Sequence, residues 1–271
     1  MDTRKLGGQV AWISGGASGM GAATARLFAE HGARVAVADR QHDAGRRVVD
    51  EISAAGGRAV YHGCKVTCED EVRESIDRAA TEFGALGAIV NCAGIVHVKL
   101  LHESSAAEWD ELMGVNLKSI FFSFKHGWRH LKRERRSYVV NVGSISSFVG
   151  QAGTPAYVAS KAAVLALTRG IALDYAAEGL RANCVCPGIT DTPLLRHHLN
   201  STPDPEATLR GRLRRVPIGV ALQPVDIARA ILYLSCEDSS GITGTSLVVD
   251  GGYLATAEWE TPEHTAFMDP P

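Results

Sequence analysis

Short apolar runs alternate along the chain with longer segments in which apolar residues recur at helical spacing. The runs are mostly apolar throughout, which is typical of strands in a parallel sheet that is covered on both faces. We predict seven strands, at residues 10–14, 34–38, 58–61, 88–91, 138–142, 181–186 and 246–249.

The segments between these runs predict helices. Ser105 and Glu108 form a capping-box pattern at the start of one segment, and Pro224 stands in the first turn of another. The predicted helices are residues 21–31, 69–83, 105–132, 156–177 and 224–234. Regular alternation of strand and helix predicts an α/β fold with a doubly wound sheet, in a single domain over residues 1–271.

Two stretches depart from this alternation. Residues 188–219 contain four prolines, so parts of them cannot be continuous helix, and so long a connection is typical of a lid. Residues 253–271 show no strand or helix pattern, yet they carry Trp259, Phe267 and Met268. Disordered tails are usually poor in aromatic residues, so we expect this tail to pack on a neighbouring subunit, with a frayed terminus as the alternative.

Composition narrows the class of partner. The chain has 271 residues, 45% hydrophobic and 21% charged, with a formal net charge of −2. This balance gives no general attraction to nucleic acid or to an anionic membrane, and the first apolar run is too short for a signal peptide. We therefore expect a cytoplasmic protein with a small-molecule substrate. The six cysteines include no C-x-x-C pair, so we expect buried free thiols and no metal site.

The first predicted strand leads into a glycine-rich turn, in which Gly15, Gly19 and Gly21 have the spacing G-x-x-x-G-x-G. Glycine lets the backbone turn tightly and approach a pyrophosphate, and the helix that follows offers its unpaired N–H groups. The position after the first strand favours a dinucleotide site over the alternative, a turn that only packs helix on strand.

Asp39 closes the second predicted strand and indicates which dinucleotide binds. A carboxylate there can accept hydrogen bonds from the adenosine ribose hydroxyls and would repel a 2′-phosphate, so the pattern favours NAD over NADP. Arg40 could reverse this preference, because a guanidinium pairs well with phosphate. We expect Arg40 to lie along the adenine or in solvent instead.

Tyr157 and Lys161 are four residues apart in a helical segment and therefore share a helix face. A tyrosine hydroxyl titrates near pH 10, and a nearby ammonium would lower its pKa by stabilising the phenolate. Tyr157 could then exchange a proton with an alcohol. Ser144, just past a strand end, can hold the substrate oxygen together with Tyr157.

Together these residues resemble the classical short-chain dehydrogenase/reductase family, from about residue 7 to residue 253. The residues that carry the resemblance are the glycine motif, Asp39, Asn91-Cys92-Ala93-Gly94, Asn116, Ser144, Tyr157, Lys161, Pro187-Gly188 and Asp250-Gly251-Gly252. The resemblance implies a Rossmann-type, doubly wound seven-stranded parallel sheet with helices on both faces, usually in a homotetramer.

The resemblance also implies individual roles. Asn116 would hold a water that links Lys161 to solvent, and Asn116, Ser144, Tyr157 and Lys161 would be the catalytic residues. The cofactor-binding residues would be Gly15, Ser18, Gly19, Met20, Gly21, Asp39, Arg40, Asn91, Ala93, Gly94, Tyr157, Lys161, Pro187, Gly188, Ile189 and Thr192. The chain departs from the family at Lys65, where an aspartate is frequent, so we expect no adenine contact from that side chain.

These observations predict an NAD-dependent oxidoreductase that transfers a hydride between nicotinamide and a secondary alcohol or ketone, of a polyol, a sugar or a ring. The alternatives are an NADPH-dependent ketoreductase of the 3-oxoacyl thioester type and a nucleotide-binding sensor without turnover. We expect the substrate to contact Ser144, Ser146, Gln151, Tyr157 and His97. The five arginines of residues 193–217 predict either an anion site or a solvated helix face.

Overall fold

Seven parallel strands form a sheet within residues 4–256, the part of the chain that the computed structural model describes. They are β1 (Val10–Ser14), β2 (Arg34–Asp39), β3 (Arg58–Gly63), β4 (Ala88–Asn91), β5 (Ser137–Val142), β6 (Leu180–Pro187) and β7 (Ser246–Val249). Their order is β3-β2-β1-β4-β5-β6-β7, so the strand order reverses between β1 and β4. The carboxyl ends of these two strands therefore open the crevice in which such sheets bind ligands. The predicted fold class is confirmed, and each predicted strand is present to within a residue or two.

Helices pack on both faces of the sheet. They are α1 (Gly19–Glu30), α2 (His42–Ala54), α3 (Glu69–Phe83), α4 (Ala106–Met113), α5 (Ser119–Leu131), α6 (Pro155–Tyr175), α7 (Pro193–Asn200), α8 (Pro205–Leu213) and α9 (Pro224–Tyr233). Because side chains alternate along a strand, Ala11 and Ile13 of β1 lie in a core with α1, α2 and α9. Val10 and Trp12 lie in a second core with α3, α5 and α6.

Helix α2 was not among the predicted helices. Its buried positions include Gly45, Val48 and Ile52, which lie on one face at helical spacing. Gly45 has to be glycine, because a Cβ there would lie 2.2 Å from the ring of Tyr61 on β3. The helix begins with a polar turn and a glycine, so the apolar spacing typical of a helix is not evident at its start.

The segment predicted as one helix from Ser105 to residue 132 is two helices joined by a π turn. The capping box is present: the Glu108 amide donates to Ser105 Oγ at 3.2 Å, and the Ser105 amide donates to the Glu108 carboxylate at 2.8 Å. Gly114–Lys118 then forms the π turn between α4 and α5, and Asn116 is buried within it. Such turns are frequent at functional sites.

The predicted lid contains two short helices, α7 and α8, rather than irregular chain. Each begins with a proline in its first turn, where the missing N–H costs nothing. Each also has a capping side chain: Thr192 Oγ1 accepts from the Leu195 amide at 3.3 Å, and Asp204 Oδ1 accepts from the Ala207 amide at 2.9 Å. The prolines that excluded one long helix therefore start two short ones.

The stretch Pro155–Glu178, which contains α6, is long and apolar enough to cross a membrane by length and mean hydropathy alone. Half of its most apolar window is buried inside the protein, and Val164 and Ile171 lie in the cores beneath the helix. The core helix of a globular domain passes the same test, so this stretch is weak support for a membrane span.

Beyond β7 the chain continues through a 3-10 turn, Tyr253–Ala255. Asp250 holds this turn, because its carboxylate accepts hydrogen bonds from the amides of Gly252 at 2.8 Å and Leu254 at 2.7 Å. Residues 257–271 lie outside the described residues, and with them Trp259, Phe267 and Met268. The packing of this tail on a neighbouring subunit stays a prediction.

Candidate active site

The glycine turn after β1 lies in contact with the loop after β4. Gly15 has a φ of +65°, and a Cβ there would lie 2.8 Å from the backbone nitrogen of Ala93. A Cβ at Gly21 would lie 2.1 Å from the carbonyl oxygen of Gly15. No side chain fits at either position, so the backbone of this turn is bare and forms the floor of the crevice.

The N-terminus of α1 faces the same crevice and is suited to an anion. Ser18, the residue before the helix, makes no side-chain capping bond, and no acidic side chain lies in the first turn. The first N–H groups and the positive end of the helix dipole are therefore available to a phosphate. Gly19 has a φ of +51°, and a Cβ there would lie 3.4 Å from Thr192, so the lid begins beside this helix end. Met20 lines the adjacent cavity.

Asp39 is buried at the end of β2 and holds the glycine turn. Its Oδ2 accepts from the Ala17 amide at 3.1 Å, and its Oδ1 accepts from the Gln41 amide at 3.0 Å. A carboxylate has about four acceptor positions, so two of these remain for a ligand. The neighbouring Arg40 is exposed to solvent. The carboxylate thus supports the turn as well as bordering the crevice, a role that the sequence did not suggest.

The side chain of Asn91 points into the protein rather than into the crevice. Its Nδ2 donates to Asn141 Oδ1 at 2.8 Å, and its Oδ1 accepts from Ser123 Oγ at 2.8 Å. Asn141 in turn donates to Thr168 Oγ1 at 2.9 Å, so the amides join β4 and β5 to helices on the second face. Only the backbone of Asn91 is left for the predicted cofactor contact.

Ser144 and Tyr157 meet at the carboxyl end of β5. Ser144 follows that strand, and Tyr157 lies in the first turn of α6. Ser144 Oγ accepts from the Ser146 amide at 3.0 Å, which leaves its own proton free for another partner. Burial raises the pKa of Tyr157 above its usual range, and hydrogen bonding to Ser144 partly opposes that rise. Tyr157 therefore keeps its proton at neutral pH.

Lys161 lies one turn further along α6 and is buried. Its Nζ donates to the Val142 carbonyl at 2.8 Å and lies 5.6 Å from the centroid of the Tyr157 ring. Burial lowers the pKa of Lys161 to about 8. The ammonium of Lys161 was predicted to lower the pKa of Tyr157. Instead, burial is the largest effect on that pKa and raises it, and Lys161 is not among the groups that lower it.

Asn116 is tied to the loop after β4 by both ends of its amide. Its Oδ1 accepts from the Ile95 amide at 2.8 Å, and its Nδ2 donates to the Ile95 carbonyl at 3.0 Å and to Ser160 Oγ at 3.0 Å. The neighbouring Gly94 separates this amide from Lys161: a Cβ there would lie 3.5 Å from Asn116 Oδ1 and 3.6 Å from Lys161 Nζ. Both protons of the Asn116 amide are thus engaged.

A cavity opens between this catalytic group and the lid, with about 650 Å³ of space continuous with solvent. Its residues are Met20, Val96, Gly143, Ser144, Ile145, Gln151, Tyr157, Pro187, Gly188, Ile189, Thr190, Thr192, Leu194, Leu195, His198 and Arg212. The predicted cofactor residues after β6 and the predicted substrate residues Ser144, Gln151 and Tyr157 therefore share one cavity. Ser146 is buried beside this cavity, and its Oγ is hydrogen-bonded to the side-chain amide of Gln151 at 3.0 Å.

His97 does not belong to the lining of this cavity. Its Nε2 lies 3.4 Å from the carboxylate of Glu111 on the far side of the loop after β4. In its place the lid, residues 193–217, supplies Leu194, Leu195, His198 and Arg212.

Comparison with known proteins agrees with this geometry. A family model described as enoyl-(acyl carrier protein) reductase matches residues 15–254. The chain is 42% identical over 248 residues to cis-4-hydroxycyclohexanecarboxylate dehydrogenase of Sinomonas cyclohexanicum, which covers 91% of this chain and 97% of that relative. It is 35% identical over 251 residues to cyclopentanol dehydrogenase of Comamonas testosteroni, covering 93% of this chain and 99% of the relative.

Solved structures give the same picture. A short-chain type dehydrogenase/reductase from Mycobacterium marinum superposes with a TM-score of 0.86 at 32% identity, over 94% of this chain and 99% of that one. The ligand-free aldohexose dehydrogenase of Thermoplasma acidophilum superposes with a TM-score of 0.85 at 34% identity, over 96% of this chain and 99% of that one.

Proposed function

The chain belongs to the classical short-chain dehydrogenase/reductase family and is an alcohol oxidoreductase, and from this premise we propose that it uses NAD to interconvert a ring alcohol and its ketone. One observation carries the proposal. The hydroxyls of Ser144 and Tyr157 face a cavity that begins beside the bare glycine turn and the open end of α1. A substrate oxygen and a nicotinamide ring can therefore meet there.

The walls of the cavity support a ring alcohol over an open polyol or a sugar. Val96, Ile145, Leu194 and Leu195 line it, and apolar side chains leave the several hydroxyls of a sugar without partners. Two relatives, by their names, act on alcohols of a cyclohexane and a cyclopentane ring. Neither of these two relatives is named for an acyl thioester, the substrate of the alternative ketoreductase. The description of the matching family model, enoyl-(acyl carrier protein) reductase, keeps that alternative in view.

The residues around the crevice fit a nicotinamide dinucleotide. The Cβ positions of Gly15 and Gly21 are filled by backbone, which is the cradle that a pyrophosphate needs. For the choice between NAD and NADP, the buried Asp39 supports NAD, because its carboxylate would repel a 2′-phosphate. Arg40 is exposed and has no carboxylate partner among the ion pairs of residues 4–256. Its guanidinium is therefore available to pair with the 2′-phosphate of NADP.

The mechanism follows from the protonation states of this chain's own residues. When bound, the cofactor supplies the hydride acceptor for the alcohol, or the donor for the ketone. Tyr157 keeps its proton at neutral pH, so the site is ready to donate a proton to the oxygen of a ketone. Oxidation needs the reverse, and the pair of Tyr157 and Lys161 must first lose one proton. We assign that proton to Lys161, because burial lowers the pKa of Lys161 to about 8 and raises the pKa of Tyr157.

Ser144 holds the substrate oxygen during this exchange. Because its Oγ already accepts from the Ser146 amide, its hydroxyl proton points to Tyr157 or to the substrate rather than to the loop. Asn116 positions the loop after β4 beside Lys161 through its two bonds to Ile95. The water relay that the family resemblance implies for Asn116 remains part of the proposal.

Replacing Tyr157 by phenylalanine tests the proposal. Tyr157→Phe keeps the ring and removes the proton, so kcat for cyclohexanol and cyclopentanol should fall at least about 100-fold, while NADH still binds by fluorescence titration. Tyr233→Phe, on the exposed surface of α9, is the matched control and should behave as wild type. Activity of Tyr157→Phe within about tenfold of wild type would remove Tyr157 from the mechanism. NADH binding without turnover in the wild type would favour the nucleotide sensor instead.

The proposal includes a cytoplasmic homotetramer. Large apolar side chains on α5, α6 and the loop after α8 are exposed in the single chain, among them Phe121 at 50%, Leu173 at 82% and Val220 at 53%. Exposed apolar area of this kind is commonly covered by a second subunit. Sedimentation velocity of the purified protein measures the assembly directly.

A further inference from the structure

Four of the five lid arginines point to solvent. The Arg196 guanidinium donates to the Asp191 carboxylate at 3.1 Å, and Arg210 pairs with Glu206 one turn earlier on α8 at 3.4 Å. The sequence left two interpretations of the lid arginines, an anion site or a solvated helix face, and the second describes these four. The four are Arg196, Arg210, Arg214 and Arg215.

Arg212 differs from its neighbours because it lines the cavity. It is partly buried, and one of its terminal nitrogens donates to His198 Nε2 at 2.8 Å. Among the ion pairs of residues 4–256, no carboxylate pairs with it. A partly buried charge without a counter-ion is costly, and an anionic ligand in the cavity would relieve that cost.

His198 fixes the direction in which Arg212 points. It is buried, and burial together with the charge of Arg212 lowers the pKa of His198 to about 4, so the ring is neutral. Its Nε2 then accepts from Arg212, and its Nδ1 carries the proton. With one of five N–H groups bound to His198, the guanidinium has further donors for a ligand.

The neutral ring also determines the orientation of Gln151. Gln151 Nε2 lies 3.4 Å from His198 Nδ1, which would place two donors face to face. Exchanging the two ends of the amide removes this conflict: the carbonyl oxygen then accepts from His198, and the NH₂ donates to Ser146 Oγ. The side-chain hydrogen bonds then run in one direction, from Arg212 through His198 and Gln151 to Ser146 Oγ. The backbone amide of Ser146 donates separately to Ser144 Oγ.

The cavity is therefore lined by two polar groups as well as by apolar side chains. Ser144 and Tyr157 can hold an alcohol oxygen, and Arg212 offers a planar fork of donors. A single guanidinium can hold one carboxylate by two parallel N–H···O bonds, and the two groups carry equal and opposite charges.

We propose that Arg212 binds the carboxylate of a ring hydroxy acid whose hydroxyl lies between Ser144 and Tyr157. His198 and Gln151 position the guanidinium and do not touch the reacting atoms. This inference rests on the proposed function, since the alcohol has to reach Tyr157. It adds the class of substrate, an alicyclic ring that carries both a hydroxyl and a carboxylate.

The test compares charged and neutral substrates of one shape. The substrates are 4-hydroxycyclohexanecarboxylate as cis and trans isomers, the methyl ester of each, and 4-methylcyclohexanol. In the wild type, kcat/KM for one isomer of the acid should exceed that for its ester at least tenfold, about 1.4 kcal/mol, through KM rather than kcat. Arg212→Gln should reduce this ratio to about one, and Arg212→Lys should keep part of it, because a lysine retains the charge and loses the fork.

Two controls keep the outcome interpretable. Arg210→Gln removes a charge from the same helix at an exposed site and should leave every constant unchanged. If Arg212→Gln does not fold, inhibition of the wild type decides instead: cyclohexanecarboxylate should compete with the substrate at least about tenfold better than cyclohexanecarboxamide. Equal constants for acid and ester, or equal inhibition by both compounds, overturn the inference. Loss of turnover with every ring alcohol and both cofactors would instead overturn the proposed function.

Discussion

Asp39 gives the sharpest test of the crevice, because one carboxylate has two separable tasks there. It accepts hydrogen bonds from the amides of Ala17 and Gln41. We propose that its charge also faces the adenosine ribose of the cofactor. Hydrogen bonds to charged acceptors contribute about 1.5–3 kcal/mol each when buried. Ala17 is buried, whereas Gln41 is exposed and its amide can turn to water. We therefore expect Asp39→Ala to lower the free energy of unfolding by about 2–4 kcal/mol.

Asp39→Asn separates the two tasks. Asparagine has one acceptor oxygen, so it can accept from one of the two amides while its NH₂ faces the other. We therefore expect Asp39→Asn to lose about half as much stability as Asp39→Ala. The negative charge is absent from both variants. If charge alone rejects NADP⁺, both variants should narrow the ratio of kcat/KM for NAD⁺ over NADP⁺ equally, by at least about tenfold.

Urea unfolding and steady-state kinetics with both cofactors measure the two effects. Asp50→Ala, an exposed carboxylate on the neighbouring α2, is the matched control and should change neither quantity. Equal stability of Asp39→Ala and Asp50→Ala would refute the structural task of Asp39. A preference of the wild type for NADP⁺ would refute the electrostatic one and make Arg40 the deciding residue.

Two further predictions concern protonation and the glycine turn. The pair of Tyr157 and Lys161 must lose a proton before oxidation, and the pKa of Lys161 is about 8. The value of kcat/KM for alcohol oxidation should therefore rise as pH increases through about 8, while kcat/KM for ketone reduction should fall. Flat profiles between pH 6 and 9 would contradict this assignment. Gly21→Ala places a Cβ 2.1 Å from a carbonyl oxygen and should cost at least about 3 kcal/mol of stability in urea unfolding. A Cβ at Gly170 on α6 would meet no atom within 4 Å, so Gly170→Ala should gain up to about 1 kcal/mol of stability from helix propensity. Equal changes in stability for Gly21→Ala and Gly170→Ala would show that the structure relaxes around the contact at Gly21.

Much of the fold could be predicted from the sequence because the strands are buried on both faces. In β1, β4 and β5 every residue is buried, so the strands read as continuous apolar runs. Helix α2 escaped prediction because its buried positions, Gly45, Val48 and Ile52, are few and follow a polar first turn. The π turn at Gly114–Lys118 escaped because it is defined by backbone bonding, and the side chains around it keep a helical pattern on either side.

The candidate site was predictable where chemistry depends on neighbours in sequence, and less so elsewhere. Tyr157 and Lys161 share a helix face, so four residues of spacing suffice to bring them together. Asn91 is different, since its partners Asn141 and Ser123 lie 50 and 32 residues away along the chain. The five lid arginines are likewise equivalent in sequence. The packing of α8 decides that Arg212 faces the cavity, and that rotation is a tertiary property.

The π turn between α4 and α5 makes the length of the chain at this point important for the site. A π turn amounts to one residue inserted into an α-helix. Deleting one residue from Gly114–Lys118 would restore an unbroken helix, with more regular hydrogen bonds than the present one. That helix would no longer present the amide of Asn116 to both backbone groups of Ile95, and the loop beside Lys161 would lose its tether. The π turn thus gives up regular helical bonding at this point and holds the loop beside Lys161.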